Sequence, residues 1–246
     1  MRSLMSLLLS TARTITSFAL DALFPESCLG CHRVGGILCG PCGISVRVLP
    51  FCCFACGMLR PGGKRKIAGS TCPGCRKKTA VDRFFAPGNY RDELLRSLIH
   101  RFKYGRARSL AGFFAGFLAS SLAARGITIP GHTLIIPIPL HPVRRRRRGF
   151  NQSLLIARHL AELVGRRCLT GILQRTKPTQ PQMLLAAAKR HHNMQGVFAV
   201  VQGEELAGAT IVLVDDVKTT GATLEEAAFT LKAAGARRVW AIAVAR

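Results

Sequence analysis

Residues Ile211 to Thr223 read IVLVDDVKTTGAT, and the order of their chemistry decides the fold of the larger part of the chain. An apolar run of the kind that fills a strand buried on both faces ends in two adjacent carboxylates, Asp215 and Asp216. A Thr/Gly-rich turn follows and opens a helix. Consecutive backbone N–H groups and hydroxyls across Thr219, Thr220, Gly221, Ala222 and Thr223 can wrap a phosphate at that helix N-terminus, where the helix dipole favours negative charge. Asp215 and Asp216 can accept hydrogen bonds from vicinal hydroxyls of a sugar, so the segment suits a ribose 5-phosphate. An ordinary capping threonine accounts for Thr219 or Thr220, but not for two adjacent acids in a chain so poor in them.

The surroundings extend the pattern. From Asp82 onward, helical and apolar-strand signals alternate: helices over Tyr90–Lys103 and Leu110–Ala124, a strand over Thr133–Pro139 and a helix over Gln152–Val164. A strand near Leu169–Gln174, a long polar stretch and strands Val197–Val201 and Thr210–Val214 come next, then helix Thr223–Ala234 and strand Arg238–Ala245. Short, nearly continuous apolar strands separated by helices predict an α/β fold with a parallel sheet covered on both faces.

Nine of the ten cysteines lie between Cys28 and Cys75. Four pairs have the same two-residue spacing: Cys28/Cys31, Cys39/Cys42, Cys53/Cys56 and Cys72/Cys75. Such a knuckle puts two sulfurs on one face of a tight turn, and two knuckles complete a tetrahedral thiolate site, so the eight ligands suit two zinc ions. Four thiolates close the coordination sphere, which makes the metal structural. Disulfides would not favour four repeats of one spacing. Cys52 is a rival to Cys53 in the third knuckle; sequential pairing is the simplest arrangement, and an interleaved cross-brace is the alternative. The domain division read from the sequence is an N-terminal helix over 1–25, a double zinc ribbon over 26–80 and an α/β domain over 81–246.

Charge adds a constraint. The 36 Lys+Arg exceed the 12 Asp+Glu by 24, which with 48% hydrophobic residues describes a folded, strongly basic protein rather than a disordered one. The excess is distributed, 12 − 3 = +9 over residues 1–88 and 24 − 9 = +15 over 89–246, so both parts attract polyanions. Arg60, Lys64, Arg65, Lys66, Arg76, Lys77 and Lys78 make the ribbon basic: a phosphate surface or a solvated loop. With 2 Tyr and 1 Trp, base stacking and sequence-specific readout are not expected. Leu4, Leu7, Leu8, Thr11, Ile15, Phe18, Ala19, Ala22 and Leu23 recur at helical spacing up to Pro25. They are read as a packed amphipathic helix, with a membrane-surface helix and a secretory signal as alternatives. No run approaches the ~18 apolar residues of a transmembrane segment.

The IVLVDDVKTTGAT segment resembles the phosphoribosyl-pyrophosphate-binding motif of type I phosphoribosyltransferases. PIPLHPVRRRRRGFNQ (Pro137 to Gln152), LQRTKPTQPQ (Leu173 to Gln182), KRHHNMQGVF (Lys189 to Phe198), the FKYG step (Phe102 to Gly105) and the cysteine knuckles together resemble the ComF family over nearly the whole chain. The resemblance implies a double zinc ribbon ahead of a type I phosphoribosyltransferase-like sheet. It implies a cytoplasmic bacterial protein, peripheral at the inner membrane in one version, that handles incoming single-stranded DNA beside uptake-machinery proteins. It places phosphoribosyl pyrophosphate with Mg²⁺ at Asp215, Asp216, Thr219, Thr220, Gly221, Ala222 and Thr223. The turn at Leu140–Arg148 is where such folds bind pyrophosphate, so Arg148 is a site residue and Arg144 to Arg147 are general polyanion contacts.

The stretch Thr176–Gly196 falls where a hood loop closes over the site, with Gln182, Arg190 and Asn193 as loop contacts. His141, His191 and His192 lack a ligand spacing and are left out. Purine-salvage relatives carry an acid in the loop where this chain has Thr219, which cannot serve as a general base near neutral pH. Two functions follow: a phosphoribosyltransferase of unknown acceptor, and a non-catalytic single-stranded nucleic-acid-binding adaptor that keeps the fold for ligand sensing.

Overall fold

Parallel strands need crossover connections and burial on both faces, and the chain from Asp82 onward supplies both. The computed structural model describes residues 25–59, 69–105, 107–177, 194–201 and 203–246. The proposed N-terminal helix, the basic residues Arg60 and Lys64 to Lys66, and Gln182, Arg190, His191, His192 and Asn193 lie outside the described residues.

In chain order the described helices are α1 (Gly40–Ile44), α2 (Pro73–Arg76), α3 (Glu93–Tyr104), α4 (Leu110–Ala123), α5 (Pro142–Arg148), α6 (Gln152–Leu163) and α7 (Ala222–Ala233). The strands are β1 (Arg83–Phe85), β2 (Thr133–Pro137), β3 (Arg167–Cys168), β4 (Leu173–Arg175), β5 (Phe198–Val200), β6 (Thr210–Val217) and β7 (Arg238–Ala245). Five strands form a wholly parallel sheet in the order β1-β7-β6-β2-β3, with β6 between β2 and β7. The predicted α/β fold with a parallel sheet is therefore present.

Side chains alternate along the central strands as the pleat requires. Leu134, Ile136, Ile211, Leu213, Val239, Ala241 and Ala243 join one core cluster with Leu224, Ala227, Ala228 and Leu231 of α7. On the same side that cluster takes in Cys52, Phe54 and Phe84, so part of the cysteine-rich segment is built into the core of the sheet. Helices α4 and α6 pack against each other, and α6 packs on β2 and β6.

Three differences from the sequence reading have physical causes. The strand expected near Leu169–Gln174 is divided: β3 stops at Cys168, Gly171 turns the chain with φ of 87°, and β4 then pairs antiparallel with β5 outside the main sheet. The segment read as a turn at Leu140–Arg148 is largely helix α5. Pro142 supplies its first turn, His141 Nδ1 accepts from the Val143 N–H at 3.3 Å, and Gly149 ends it at φ of 80°. The edge strand β1 has only three residues, too short for a period-two signal.

By compactness the chain divides into residues 1–46 and 47–246. The second unit holds the sheet together with Cys53, Cys56, Cys72 and Cys75. Among the described residues no helix is long and apolar enough to cross a membrane.

Candidate functional site: two carboxylates, a turn and a ring of cations

Strand β6 carries its apolar run straight to Asp215 and Asp216, so both carboxylates stand at the carboxyl end of the sheet, the usual ligand edge of a parallel α/β fold. Alternation sends them in different directions. Asp215 Oδ1 accepts from Ser153 Oγ at 2.9 Å and from the Asp216 N–H at 2.9 Å. Ser153 is held there because Asn151 caps α6, its side chain accepting from the Ser153 and Leu154 N–H groups while its own amide donates to Ile138 O at 3.0 Å. Asp216, 9% exposed, pairs with Lys103 Nζ at 2.7 Å, and Lys103 arrives in the last turn of α3.

Burial, followed by the charge of Asp216, pushes the Asp215 carboxyl up to about 7. Burial works against charge on Lys103, but the adjacent Asp216 and Asp215 outweigh it and hold the ammonium above its ordinary value.

Two arginines of α5 face the same place. Arg144 and Arg148 are one helical turn apart and half-buried, whereas Arg145, Arg146 and Arg147 are exposed. The Arg148 guanidinium lies 5.2 Å from the Tyr104 ring centroid, and donates to Gln152 Oε1 at 3.2 Å and to Tyr104 OH at 3.4 Å. Gln152 is 1% exposed, and its Nε2 donor has no hydrogen-bond partner among the described residues. Arg175 of β4 is half-buried near this group: burial first, then the charge of Arg144, lowers it to about 10, with Asp215 acting in the opposite sense. Four cations, Lys103, Arg144, Arg148 and Arg175, thus accompany two carboxylates, an excess of positive charge for an anionic ligand.

The turn from Lys218 to Gly221 connects the acids to α7. Gly221 has φ of 89° and gives α7 no side-chain cap, which leaves the first N–H groups of a 12-residue helix to other acceptors. Thr220 Oγ1 accepts from the Ala222 N–H at 3.4 Å. A Cβ on Gly221 would come within 2.8 Å of Phe54 Cζ, so glycine is required by packing as well as by φ. Phe54 lies between the cluster ligands Cys53 and Cys56. Lys218 Nζ sits 5.2 Å from the Phe54 ring and 5.5 Å from the Phe84 ring, and the two rings meet edge-on at 5.4 Å. On the far side of the turn, Glu225 accepts from Thr79 Oγ1 at 2.5 Å and from the Ala80 N–H at 2.6 Å, just after the fourth knuckle. The turn rests on the second cysteine cluster.

The eight paired cysteines gather into two groups, Cys28/Cys31/Cys39/Cys42 and Cys53/Cys56/Cys72/Cys75, with the sulfurs of each group within 4.8 Å of one another. Sequential pairing is the arrangement found. Sulfur separations of 3.6 Å for Cys28–Cys39 and Cys31–Cys39 and 3.8 Å for Cys56–Cys72 match the ~3.8 Å edge of a tetrahedron with Zn–S of ~2.3 Å. Amide donors approach the sulfurs: Gly30 and Cys39 N–H at 3.4 Å from Cys28, and Cys72 N–H at 3.5 Å from Cys53. Hydrogen bonds from Cys39, Cys31 and Gly30 lower Cys28 to about 6. At Cys53, burial opposes ionisation, but amide donors at Cys56, Cys72 and Ala55 overcome it and bring the thiol to about 6. Cys42 and Cys75 are raised to about 12, chiefly by their contacts to Cys39 and to Cys72 respectively. Four sulfurs gathered this closely, with amide donors at Cys28 and Cys53, suit zinc in a closed structural site. Cys52 is buried in the core, and no described metal-binding group includes it.

Comparison with known proteins adds descent to this geometry. Residues 146–246 match the phosphoribosyl transferase domain family, which includes β6, the turn and α7. Over 232 residues the chain is 31% identical to Competence protein F of Haemophilus influenzae, covering 89% of this chain and 97% of the relative. The chain belongs to the competence protein F (ComF) family. Within it, the DNA utilization protein YhgH of Salmonella typhi is 31% identical over 209 residues, covering 83% of this chain and 89% of that protein. Among solved structures, a glutamine phosphoribosylpyrophosphate amidotransferase from B. subtilis complexed with ADP and GMP aligns at a TM-score of 0.38 and 20% identity, over 56% of this chain and 26% of that one.

Sequence reasoning placed Asp215, Asp216, Arg148 and the turn, and the fold brings all of them to one sheet edge. The sequence carries no signal for a role of Lys103, although FKYG contains it, nor for Ser153, Arg175 or Phe54. The partners of these residues lie far along the chain, and no local pattern reveals them. Arg144, read with its neighbours as a general contact, shares the inner face of α5 with Arg148.

Proposed function

We propose that this ComF-family chain binds phosphoribosyl pyrophosphate, with Mg²⁺, at Asp215, Asp216 and the Thr219–Thr223 turn, in the service of DNA uptake or utilisation. The observation that carries the reading is the placement of two adjacent carboxylates between a helix N-terminus without a side-chain cap and a cluster of four cations. The carboxylates accept from the ribose 2- and 3-hydroxyls. The turn N–H groups and hydroxyls of Thr219, Thr220 and Thr223 take the 5-phosphate, and Arg148 with Arg144 faces the pyrophosphate. Mg²⁺ carried by the pyrophosphate would share its charge.

If the site turns over, the anomeric C–O bond breaks, pyrophosphate leaves with the electron pair, and an acceptor nucleophile bonds to the sugar carbon through an oxocarbenium-like transition state. Arg148 and the α5 arginines then stabilise the departing charge. A second reading, a non-catalytic adaptor that senses the ligand while it holds single-stranded nucleic acid, is favoured by Thr219 in place of a loop carboxylate. Both readings place the protein in the cytoplasm, in contact with uptake-machinery proteins.

A thermal-shift series separates the ligand parts. Phosphoribosyl pyrophosphate with Mg²⁺ is expected to raise the melting temperature more than ribose 5-phosphate or pyrophosphate alone; equal shifts from pyrophosphate alone would remove the ribose from the site. Release of pyrophosphate in the presence of nucleobases or oligonucleotides distinguishes enzyme from sensor.

A further inference from the structure

The end of the sheet opposite Asp215 carries a basic cavity. Its volume is about 280 Å³, and Ser70, Arg76, Asp82, Arg83, Arg238 and Trp240 line it. Arg83 and Arg238 begin the neighbouring strands β1 and β7, and Arg76 ends α2 directly after the metal-cluster residue Cys75. The lone acid is already engaged: the Asp82 carboxylate takes Lys232 Nζ at 3.0 Å and 3.1 Å and the Val239 N–H at 2.8 Å. The guanidinium of Arg83 covers the Trp240 ring at 4.6 Å, and Trp240 is 6% exposed. Burial, then the nearby charge of Arg238, disfavours the cation on Arg83, so the arginines are crowded. Next to these lining residues in the chain, Lys77 and Lys78 follow Arg76 and Arg237 precedes Arg238, all exposed.

We infer that this cavity binds the phosphodiester backbone of single-stranded nucleic acid, as a site separate from Asp215 and Asp216. Planar guanidinium forks match phosphate oxygens two at a time and fix a strand's position. The flanking cations outside the cavity favour a ligand with consecutive phosphates over an isolated one. A recess of this size admits one flexible backbone more readily than the rigid paired backbones of a duplex. The face of Trp240 is taken by Arg83, so bases have no platform there and the binding is indifferent to sequence.

The test uses the full metal-loaded chain and a labelled mixed-sequence oligodeoxynucleotide, titrated at several salt concentrations. Arg76→Gln/Arg238→Gln changes two exposed side chains and preserves the Arg83–Trp240 contact; Arg83→Gln is measured separately, with thermal melting to check its fold. The double variant is expected to weaken oligonucleotide binding at least tenfold. It should also flatten the plot of log affinity against log salt by about 1.4, the loss of two single-strand phosphate contacts at ~0.7 each. Its phosphoribosyl pyrophosphate response should equal that of wild type; if wild type shows no such response, unchanged melting is the control, so the two readings fail separately.

An unchanged affinity and salt slope in the double variant would overturn the inference. So would inorganic phosphate competing as effectively per phosphate as the oligonucleotide, or a duplex of equal length binding as tightly.

Discussion

Cys28, Cys31, Cys39 and Cys42 lie in the compact unit that ends at Val46, whereas Cys53, Cys56, Cys72 and Cys75 lie inside the unit that carries the sheet. Ligand type, knuckle spacing and thiol chemistry are alike in the two. What differs is the residue after the first ligand. In the first cluster it is Leu29, only partly buried; in the second it is Phe54, 3% exposed, packed under Gly221 and Lys218 and part of the core shared with α7. The same four-cysteine ligand set at the same spacing therefore has different reach. The first cluster orders its own short loops, and the second also supports the turn assigned to the phosphate.

The largest contrast is expected from removing one ligand in each cluster. Cys72→Ser should lose one equivalent of zinc, lower the melting temperature of the sheet-bearing unit and weaken phosphoribosyl pyrophosphate binding by on the order of a hundredfold, because metal and core fold together. Cys39→Ser should also lose one equivalent while leaving that affinity within about twofold. Zinc determination with calorimetry checks both, and equal losses from the two variants would break the comparison.

Phe54→Ala isolates the strut from the ligands. Emptying a buried phenylalanine site should cost about 3 kcal/mol of stability and speed amide exchange over residues 218–225, with both zinc equivalents retained. Exchange unchanged in that segment would show that the turn does not depend on Phe54. Gly221→Ala attacks the same contact from the other side. The left-handed φ and the approach of Phe54 together should cost about 1–3 kcal/mol, and pairing it with Phe54→Leu should recover part of the loss in a denaturation series.

A separate effect comes from pH. With the folded carboxyl of Asp215 near 7 and an unfolded one near ~3.9, the folded chain holds a proton that the unfolded chain has released across that interval. Stability from this group therefore falls as pH rises from about 4 to about 7, and Asp215→Asn should flatten the profile in that window. Ligand affinity should move oppositely, rising as Asp215 ionises. A denaturant midpoint independent of this substitution would contradict the assignment.

How much of this was legible in the sequence depends on where the partner lies. IVLVDDVKTTGAT holds strand, acids, turn and helix start in one continuous segment, so its fold and placement could be read directly; β6 only extends further, to Val217. The cysteine spacing also exposed both clusters, because each knuckle is local. Arg144–Arg148 was harder. Arg148 reads as a site residue and Arg144 to Arg147 as general polyanion contacts in a turn, although Pro142 and Gly149 are helix punctuation, and the helix is what separates Arg144 and Arg148 from the exposed residues between them. Lys103 and Asp216, and Phe54 and Gly221, meet only through tertiary packing across more than a hundred residues of chain, and no periodicity encodes such a contact.

The central claim is that Asp215 and Asp216, with the turn that follows them, form the sugar-phosphate site. Calorimetric titration of the zinc-loaded chain with phosphoribosyl pyrophosphate and Mg²⁺, beside Asp215→Asn/Asp216→Asn, tests it most directly. The account predicts saturable one-site binding to wild type and loss of that binding in a double variant that still melts cooperatively. Binding of equal strength to both proteins, or none to wild type, would contradict it.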